Sequence, residues 1–558
     1  MRRAELGAGN EIAPMLGLMQ NHPLLISSLI EHAALTHPHA EVVSRTPEGE
    51  LRRHGYAAIA TRAGQVAGVL SALGVTEGTR IGTLAWNTHR HLELLYGVSG
   101  IGAVLHTVNP RLYPEQIEYI INHAGDRYLL FDLSFLPLIE RLAPRLESVS
   151  TFIALTDREH MPRTSPIDLL CYEEWIASVP ALRRWPRFDE NLASSMCYTS
   201  GTTGHPKGVL FSHRSTVLHA MATCMVDALG VSATDSVLLA TPMFHANGWG
   251  VPYAAALAGA SLILPGAALD GASVYELLRR EGATAVAGVP TVWLMLQQHV
   301  LTHGLHPRDE LQLERIFTGG AAVPRSLVEF FETEFNARVV HAWGMTETSP
   351  LGTVCRPLRK HRAASRGEWL ELRLKQGRPL FGVEVKVSGP QGEVCPRDGR
   401  SAGRLLVRGP WVASAYYGSE HGAALDADGW FDTGDIATID AEGYVQITDR
   451  AKDVIKSGGE WISSIELENA AMSHPAVAEA AAIGVPDPLW QERPLLVVVR
   501  RSDQRLTDQE LLGFLAGKLV KWWLPEKIVF VRELPHTATG KLHKKTLREQ
   551  YARGELAV

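Results

Sequence analysis

A run of hydroxyl residues and glycines closed by a lysine could bind phosphate. Residues 198–208 read YTSGTTGHPKG. Glycines let backbone N–H groups approach phosphate oxygens, hydroxyls add donors, and Lys207 supplies a positive charge for a polyphosphate. The run is not a Walker A loop, because Lys207 is followed by Gly208 rather than by serine or threonine. For a generic run of this composition, a flexible surface loop is the alternative interpretation.

A second candidate site follows the apolar segment RVVHAWG at residues 338–344, which predicts a strand. Ligands of open α/β sheets bind beyond the carboxyl ends of strands, where Thr346 and Glu347 would lie. Thr346 can bond to a phosphate, and Glu347 can hold Mg²⁺, which prefers oxygen ligands. The alternative interpretation is a strand end followed by a helix cap.

These two segments belong to a series that resembles the signatures of adenylate-forming enzymes. The series continues in the expected order with PMFHANGWG (242–250), GGAAVP (319–324), HAWGMTETSP (341–350), WFDTGD (430–435), DRAKDVIKSGGEWISS (449–464) and PHTATGK (535–541). The likeness covers essentially the whole chain from about Met15. Within this superfamily, KSGGEWISSIELE and HAWGMTETSP most resemble medium- and long-chain fatty-acyl-CoA ligases, and the related methylmercaptopropionate-CoA ligases.

The resemblance implies a site for ATP and Mg²⁺, with Thr199 and Glu347 as metal ligands. The superfamily usually has tyrosine where this chain has Trp343, and either ring can stack on adenine. Asp435 would chelate the ribose hydroxyls, with Arg450 beside it. The residues implied to bind ATP or AMP are Thr199, Ser200, Gly201, Thr202, Thr203, Gly204, Lys207, Gly320, Ala321, Ala322, His341, Ala342, Trp343, Gly344, Met345, Thr346, Asp435, Arg450 and Lys541.

The implied catalytic residues are Lys207, Glu347, Lys456 and Lys541. Lys541 would bridge the attacking carboxylate and the α-phosphate, where charge builds up in the transition state. Because it lies near the end of the chain, the resemblance implies that a small mobile domain carries it in. Lys452 is the implied hinge, although a local salt bridge is an equally good interpretation. The basic stretch up to Lys545 either contacts CoA phosphates or begins a solvated helix.

Two further sets of residues are assigned to the remaining substrates. The second half-reaction would use the residues Lys456, Ser457, Gly458, Gly459 and Trp461, where two glycines can flank a narrow pantetheine tunnel. The acyl site would be bordered by Phe244, His245, Asn247 and Trp249. Several related ligases read FHVNAWG where this chain reads FHANGWG, so the small residues differ slightly. Ordinary packing is the alternative for this aromatic group.

The elements that must position these residues alternate between helical spacing and short apolar runs. Residues 57–73 and 114–125 have helical spacing, whereas 103–109 and 127–132 read as buried strands. Such alternation predicts an α/β fold around largely parallel sheets. Beyond residue 344, short hydrophobic runs separated by Gly, Pro and Asp predict a more antiparallel region. We expect a large N-terminal domain of stacked α/β subdomains (1–449), a hinge (450–453) and a small mobile C-terminal α+β domain (454–558).

Composition narrows the class of protein. Hydrophobic residues make up 46% and charged residues 20% of 558, and the net charge of -6 gives no footprint for nucleic acid. Five cysteines without CxxC spacing predict reduced thiols and a cytoplasmic protein. No apolar run is long enough to predict a transmembrane helix. The resemblance, rather than composition, implies an ATP-dependent ligase that joins a fatty, medium-chain carboxylic acid to coenzyme A through an acyl-adenylate and releases AMP and pyrophosphate, and it implies a homodimer.

Two rival functions remain at this stage. An enzyme of the same superfamily could load a separate acyl carrier protein rather than CoA. A catalytically silent nucleotide-binding protein is the rival from another class. Against the second, the chain retains all of the residues that the resemblance makes essential, which are Lys207, Glu347, Asp435, Arg450 and Lys541.

Overall fold

The computed structural model describes residues 17–199, 205–458, 460–501, 504–536 and 542–556, whose strands form four sheets. Of the predicted site residues, those outside the described ranges are Ser200, Gly201, Thr202, Thr203, Gly204, Gly459 and Lys541. No helix in the described part of the chain is long and apolar enough to cross a membrane.

Two mostly parallel sheets form the larger part of the structure. The first has antiparallel pairs at its two ends and contains, in spatial order, Arg378–Pro379, Leu351–Val354, Arg338–Gly344, Arg315–Thr318, Ala285–Gly288, Ser236–Leu239, Ser261–Leu264, Glu41–Arg45 and Leu51–Gly55. The second is parallel except for its last pair and contains Leu169–Cys171, Thr151–Ala154, Tyr128–Phe131, Arg80–Leu84, Val104–Thr107, Ala193–Tyr198 and Gly208–Ser212.

Helices cover these sheets, which is why their central strands read as continuous apolar runs. The helix His89–Ser99 is buried along its whole length and contacts strands of both sheets. The α-helices are Ile26–Thr36, Tyr56–Ala72, His89–Ser99, Pro114–Ala124, Leu136–Leu142, Tyr172–Ala177, His213–Cys224, Val251–Ala258, Gly271–Arg280, Pro290–His303, Pro307–Glu310, Arg325–Phe330, Arg366–Leu374, Ser464–Met472, Asp508–Ala516 and Lys544–Ala552. The predicted stacked α/β architecture is confirmed.

The C-terminal half of the chain contains the smaller sheets. An antiparallel sheet consists of Glu384–Ser388, Gly403–Arg408, Phe431–Ile439 and Val445–Arg450, which confirms the predicted change of texture. The small domain then contains a sheet of Glu460–Ile462, Ile455–Ser457, Gln491–Arg500, Val477–Asp487 and Lys527–Val531. The division at 449, 453 and 454 stays a prediction, although one sheet ends and the next begins on either side of it.

One predicted helix is shorter than its sequence pattern indicates. Residues 508–523 have helical spacing, but the helix ends at Ala516 with Gly517 at its C-cap. A separate 3₁₀ turn then forms at Lys521–Trp523. At the other end of the helix, Thr507 and Glu510 make a capping box, which explains why its start was readable from sequence.

Candidate active site

A cavity of about 1370 Å³ brings together motifs that are far apart in the chain. It is bordered by Lys207, by the glycine-rich segment 319–322, by residues 342–347 and by Arg450. His536 and Leu542, the described residues on either side of 537–541, border it as well. Contributions therefore come from both large sheets, from the antiparallel sheet and from the small domain.

Two antiparallel strands hold the ends of the predicted phosphate-binding segment. Ala193–Tyr198 pairs with Gly208–Ser212, and beyond this pair the Thr199 amide donates to the Lys207 carbonyl at 2.9 Å. The Lys207 amide in turn lies 3.3 Å from the Thr199 hydroxyl oxygen. These bonds place the Thr199 side chain and the Lys207 ammonium at the same end of the sheet. Both residues border the cavity, as predicted for a polyphosphate site.

The helix Pro114–Ala124 packs against both ends of that segment through aromatic rings. Tyr119 stacks on His205 with ring centroids 4.5 Å apart and on His123 at 5.3 Å. The His123 Nδ1 atom lies 2.6 Å from the Tyr198 hydroxyl. These contacts could not be predicted from sequence, because residues four apart on a distant helix carry no phosphate-binding signature.

Glu347 lies on the 3₁₀ turn Thr346–Thr348, directly after the strand Arg338–Gly344, as the sequence predicted. It is only 6% exposed, and its Oε1 accepts a hydrogen bond from the Tyr416 hydroxyl at 2.8 Å. Mg²⁺ is commonly held by one or two carboxylates together with substrate phosphates. Glu347 borders the same cavity as Lys207, and a single carboxylate in a polyphosphate site fits this mode of binding.

Asp435 contacts the side chains of Trp343 and Arg450. The Trp343 indole N–H donates to Asp435 Oδ2 at 2.9 Å, and Arg450 Nε lies 2.8 Å from Oδ1. Asp435 is only 2% exposed and is not among the residues that border the cavity, so its binding of ribose stays a prediction. Trp343 therefore orients Asp435 as well as bordering the cavity. His341 does not border it: this residue is buried, and burial lowers the pKa of its imidazole to about 4.

The predicted acyl segment contains a left-handed turn. The φ angles of Ala246, Asn247, Gly248, Trp249 and Gly250 are 40°, 43°, 61°, 58° and 72°. This conformation costs a non-glycine residue roughly 1–2 kcal/mol, so neighbouring contacts must hold it. Asn247 supplies one of them, since its Oδ1 accepts from the Ser195 hydroxyl at 2.5 Å.

The turn separates the four predicted acyl-binding residues into two pairs. His245 and Trp249 border the cavity, whereas Phe244 and Asn247 do not. A Cβ added to Gly319 or Gly320 would lie 3.8 Å from the Trp249 indole, so this ring lies over both glycines. Apolar residues that also border the cavity are Leu229, Pro290, Leu294, Phe317 and Leu351. Contact of any of these residues with the acid stays a prediction.

Trp249→Ala is expected to relax chain-length selection by opening the wall between the acyl region and Gly319–Gly320. Activity on long acids should rise relative to short ones, changing discrimination by about 1–3 kcal/mol, the value of a methylene or two of fit. The measurement is kcat/KM over acids of increasing length, together with the melting temperature. Trp175→Ala, which removes a buried indole outside the cavity, is the control. If the Trp249→Ala enzyme lost about 3–5 kcal/mol of stability but kept the same chain-length profile, the indole would be an ordinary core residue.

The described members of the predicted CoA set, which are Lys456, Ser457, Gly458 and Trp461, do not border this cavity. Lys456 is exposed, Trp461 is 38% exposed, and buried Ser457 accepts from Arg493 Nη1 at 3.1 Å. Gly458 has a φ of 61°, and a Cβ there would lie 3.0 Å from Trp522 and 3.1 Å from Trp490. Glycine is therefore required at 458 by packing and by backbone conformation. Lys456, Ser457, Gly458 and Trp461 thus lie apart from His536 and Leu542 on the small domain.

Lys544 corrects one sequence expectation. It was placed in a stretch that contacts CoA phosphates or begins a solvated helix, yet it is only 8% exposed. Its Nζ lies 2.6 Å from Glu468 and donates to the Ser464 hydroxyl at 2.6 Å. Ser464 also binds Asp449 through its amide at 2.6 Å. Burial lowers the pKa of Lys544, but Glu468 and Asp449 outweigh this effect and raise it, so the ammonium stays charged.

Lys452, the predicted hinge, borders the cavity. Burial lowers the pKa of its ammonium. Its carbonyl accepts from Arg548, which also pairs with Asp453 at 2.5 Å. The segment is thus bonded to the small domain in this structure, and rotation at Lys452 stays a prediction.

Comparison with known proteins gives consistent matches. The family described as AMP-binding enzyme matches residues 30–417, and the AMP-binding enzyme C-terminal domain matches residues 466–541. The 3-methylmercaptopropionyl-CoA ligase of Ruegeria lacuscaerulensis is 50% identical over 96% of this chain and 99% of its own length. The medium-chain-fatty-acid–CoA ligase of Ectopseudomonas oleovorans is 48% identical over 96% and 98%. The solved anthranilate CoA ligase AuaEII with anthranoyl-AMP has a TM-score of 0.82 at 25% identity, covering 96% and 99%.

Proposed function

The chain belongs to the AMP-binding enzyme family, and we propose that it activates a medium-chain fatty acid with ATP and transfers the acyl group to CoA. It is an AMP-forming acid–CoA ligase, as are relatives that match it along nearly their whole length. The observation that carries the proposal is one cavity bordered by Lys207, Glu347, Arg450 and a largely apolar region.

In the first half-reaction, a carboxylate oxygen of the acid attacks the α-phosphorus of ATP. The bond to the bridging oxygen breaks, and pyrophosphate leaves with the electron pair. Lys207 binds phosphate oxygens at the end of its strand, and Trp343 with Arg450 orients Asp435 for the ribose. Glu347, with Thr199, would hold Mg²⁺, which neutralises polyphosphate charge when bound. Lys541 neutralises the reacting oxygens, a role supported by the position of His536 and Leu542 at the cavity.

In the second half-reaction, the CoA sulfur attacks the acyl carbon, and the carbon–oxygen bond to AMP breaks. AMP is a good leaving group, whereas a free carboxylate resists attack, which is why activation comes first. Lys456, Ser457, Gly458, Gly459 and Trp461 would serve this step. Because the four described residues of this set lie away from the cavity, the proposal requires the small domain to rotate near Lys452.

Gly459→Leu is expected to separate the two half-reactions. A leucine in the pantetheine path should lower CoA transfer by about 10²-fold, the cost of misplacing a reactant by about an ångström, while ATP–pyrophosphate exchange stays nearly intact. Gly513→Leu is the control, since a Cβ at this position on the same domain meets nothing within 4 Å. An equal fall in exchange and in overall turnover would remove Gly459 from the CoA path.

The substrate proposal is tested with carboxylic acids from C2 to C18 and with methylmercaptopropionate, assayed for CoA-dependent AMP formation. A maximum at medium-chain acids supports the proposal, and a maximum elsewhere contradicts it. Measuring pyrophosphate release with and without CoA, and identifying the product, separates the rivals. Adenylate without thioester would point to a carrier-protein acceptor, and no release with any acid would point to a silent binder.

Three further properties are proposed from the same family membership. Mg²⁺ is the metal of the ATP site, the chain forms a homodimer through its N-terminal region, and the enzyme acts in the cytoplasm. Light scattering coupled to gel filtration tests the second property, since a monomer would elute with the mass of one chain. Titration of the exchange reaction with Mg²⁺ tests the first.

A further inference from the structure

Tyr416 touches both of the charged side chains proposed for the polyphosphate. The Lys207 ammonium lies 4.6 Å from the centroid of its ring, within range of a cation–π contact. Its hydroxyl donates to Glu347 Oε1 at 2.8 Å. Tyr416 also borders the cavity. One side chain therefore links a residue of the second large sheet to a residue that follows a strand of the first.

The loop that carries Tyr416 is bound on both sides to the residues it would position. The Ala413 amide donates to the Glu347 carbonyl at 2.7 Å, and the Tyr417 amide donates to the Gly208 carbonyl at 2.8 Å. The Tyr416 ring packs on Phe431 and against the small apolar cluster that contains Cys197, Val209 and Phe211. The hydrogen bond to Glu347, the contact with Phe431 and the packing against the apolar cluster hold the ring in place. A ring held in this way can in turn position Lys207 and Glu347.

The charges around the ring explain what it can do. The Tyr416 hydroxyl is the donor in its hydrogen bond to Glu347, because a carboxylate only accepts. No ion pair within the described ranges joins Lys207 to Glu347. In a direct ion pair, the ammonium and the carboxylate would neutralise each other, and neither would be available for phosphate or metal. With the phenol between them, the lysine faces the ring while the carboxylate accepts a neutral donor.

We propose that Tyr416 is a positioning residue for adenylate formation, which keeps Lys207 and Glu347 apart and directs the carboxylate toward the metal that accompanies ATP. The proposal rests on the ATP-dependent function proposed above. The ring serves Lys207 and is needed for ATP with or without metal. The hydroxyl serves Glu347 and is needed only when metal accompanies ATP.

Two substitutions test the ring and the hydroxyl separately. Tyr416→Phe keeps the ring and removes the hydroxyl, so we expect the Kd of MgATP by calorimetry to rise 10–100-fold, the usual effect of losing a residue that orients a metal ligand. Binding of ATP in EDTA should stay as in the wild type. Tyr416→Leu should weaken both. Tyr444→Phe is the matched control, because Tyr444 also lies beneath a lysine, donates its hydroxyl at 2.6 Å and does not border the cavity.

A double-mutant cycle with Glu347→Gln tests whether the hydroxyl acts through this carboxylate. The double variant should bind MgATP no worse than Glu347→Gln alone, since the two changes remove one function. Additive losses would overturn the proposal, as would wild-type MgATP binding by Tyr416→Phe or equal losses with and without metal. If the wild-type enzyme shows no ATP–pyrophosphate exchange with any acid, the proposed function fails instead, which keeps the two failures distinguishable.

Discussion

Replacing Lys541 by alanine is expected to lower the rate of acyl-adenylate formation by about 10²–10³-fold. The carboxylate and the α-phosphate are both anionic, and charge builds on the phosphorus oxygens as they react. Loss of a contact with that charge costs about 3–4 kcal/mol. Thioester formation from supplied acyl-AMP should be largely spared, because the four described residues of the proposed CoA set do not border the cavity. Rapid-quench assays of each half-reaction make the measurement.

Lys545→Ala is the matched control for this prediction. Lys545 is exposed, lies close to Lys541 in sequence and forms an ion pair with Glu549 at 3.8 Å across one helical turn. Its removal tests whether any loss of positive charge in this part of the small domain slows adenylation. Equal losses of both half-reactions in Lys541→Ala would indicate a structural role for the lysine.

Lys544→Met is expected to destabilise the small domain by about 3–5 kcal/mol. The substitution removes one partner of an ion pair that is almost wholly buried and leaves the Glu468 carboxylate without its ammonium. Adding Glu468→Gln should recover part of the loss, because the amide oxygen can still accept from the Ala482 amide while position 468 no longer carries a charge. Urea unfolding monitored by tryptophan fluorescence provides the measurement.

Lys545→Met controls for the loss of a lysine on the same helix and should change the stability by less than about 1 kcal/mol, as expected for an exposed pair. If Lys544→Met were as stable as the wild type, the pair would contribute nothing. If the second substitution gave no recovery, the uncompensated charge of Glu468 would not be the cause of the loss.

The motifs around Lys207 and Glu347 could be predicted because they combine residue types that only phosphate or metal chemistry requires in such order. Their placement after strands followed from the periodicity of the preceding segments. Tyr416 could not be predicted in the same way, because a tyrosine in a loop becomes a partner of both residues only through folding. Lys544 is a second case: it is one of three lysines in residues 541–545, which made a solvated stretch the natural expectation, and Glu468 and Ser464 are far from it in sequence.

The acyl segment shows the same limit at the level of the backbone. The motif FHANGWG supplied four candidates for the acyl site, and sequence alone could not show that only His245 and Trp249 of these border the cavity. The left-handed turn makes the division, since it directs Asn247 toward Ser195 and leaves Trp249 against Gly319 and Gly320. Contacts from outside the segment hold that strained conformation, and these contacts cannot be predicted from the motif itself.

The sequence by itself determined the α/β class, the change to an antiparallel texture and the family, since apolar periodicity and motif order are local properties of the chain. Tertiary structure alone decided which motif residues border the cavity and which support them. It also decided that Trp343 binds Asp435, that Tyr416 lies between Lys207 and Glu347, and that Lys544 is buried. The physical reason is that hydrogen bonding and burial depend on neighbours from about 70 to 200 residues away, which folding supplies and local pattern does not encode.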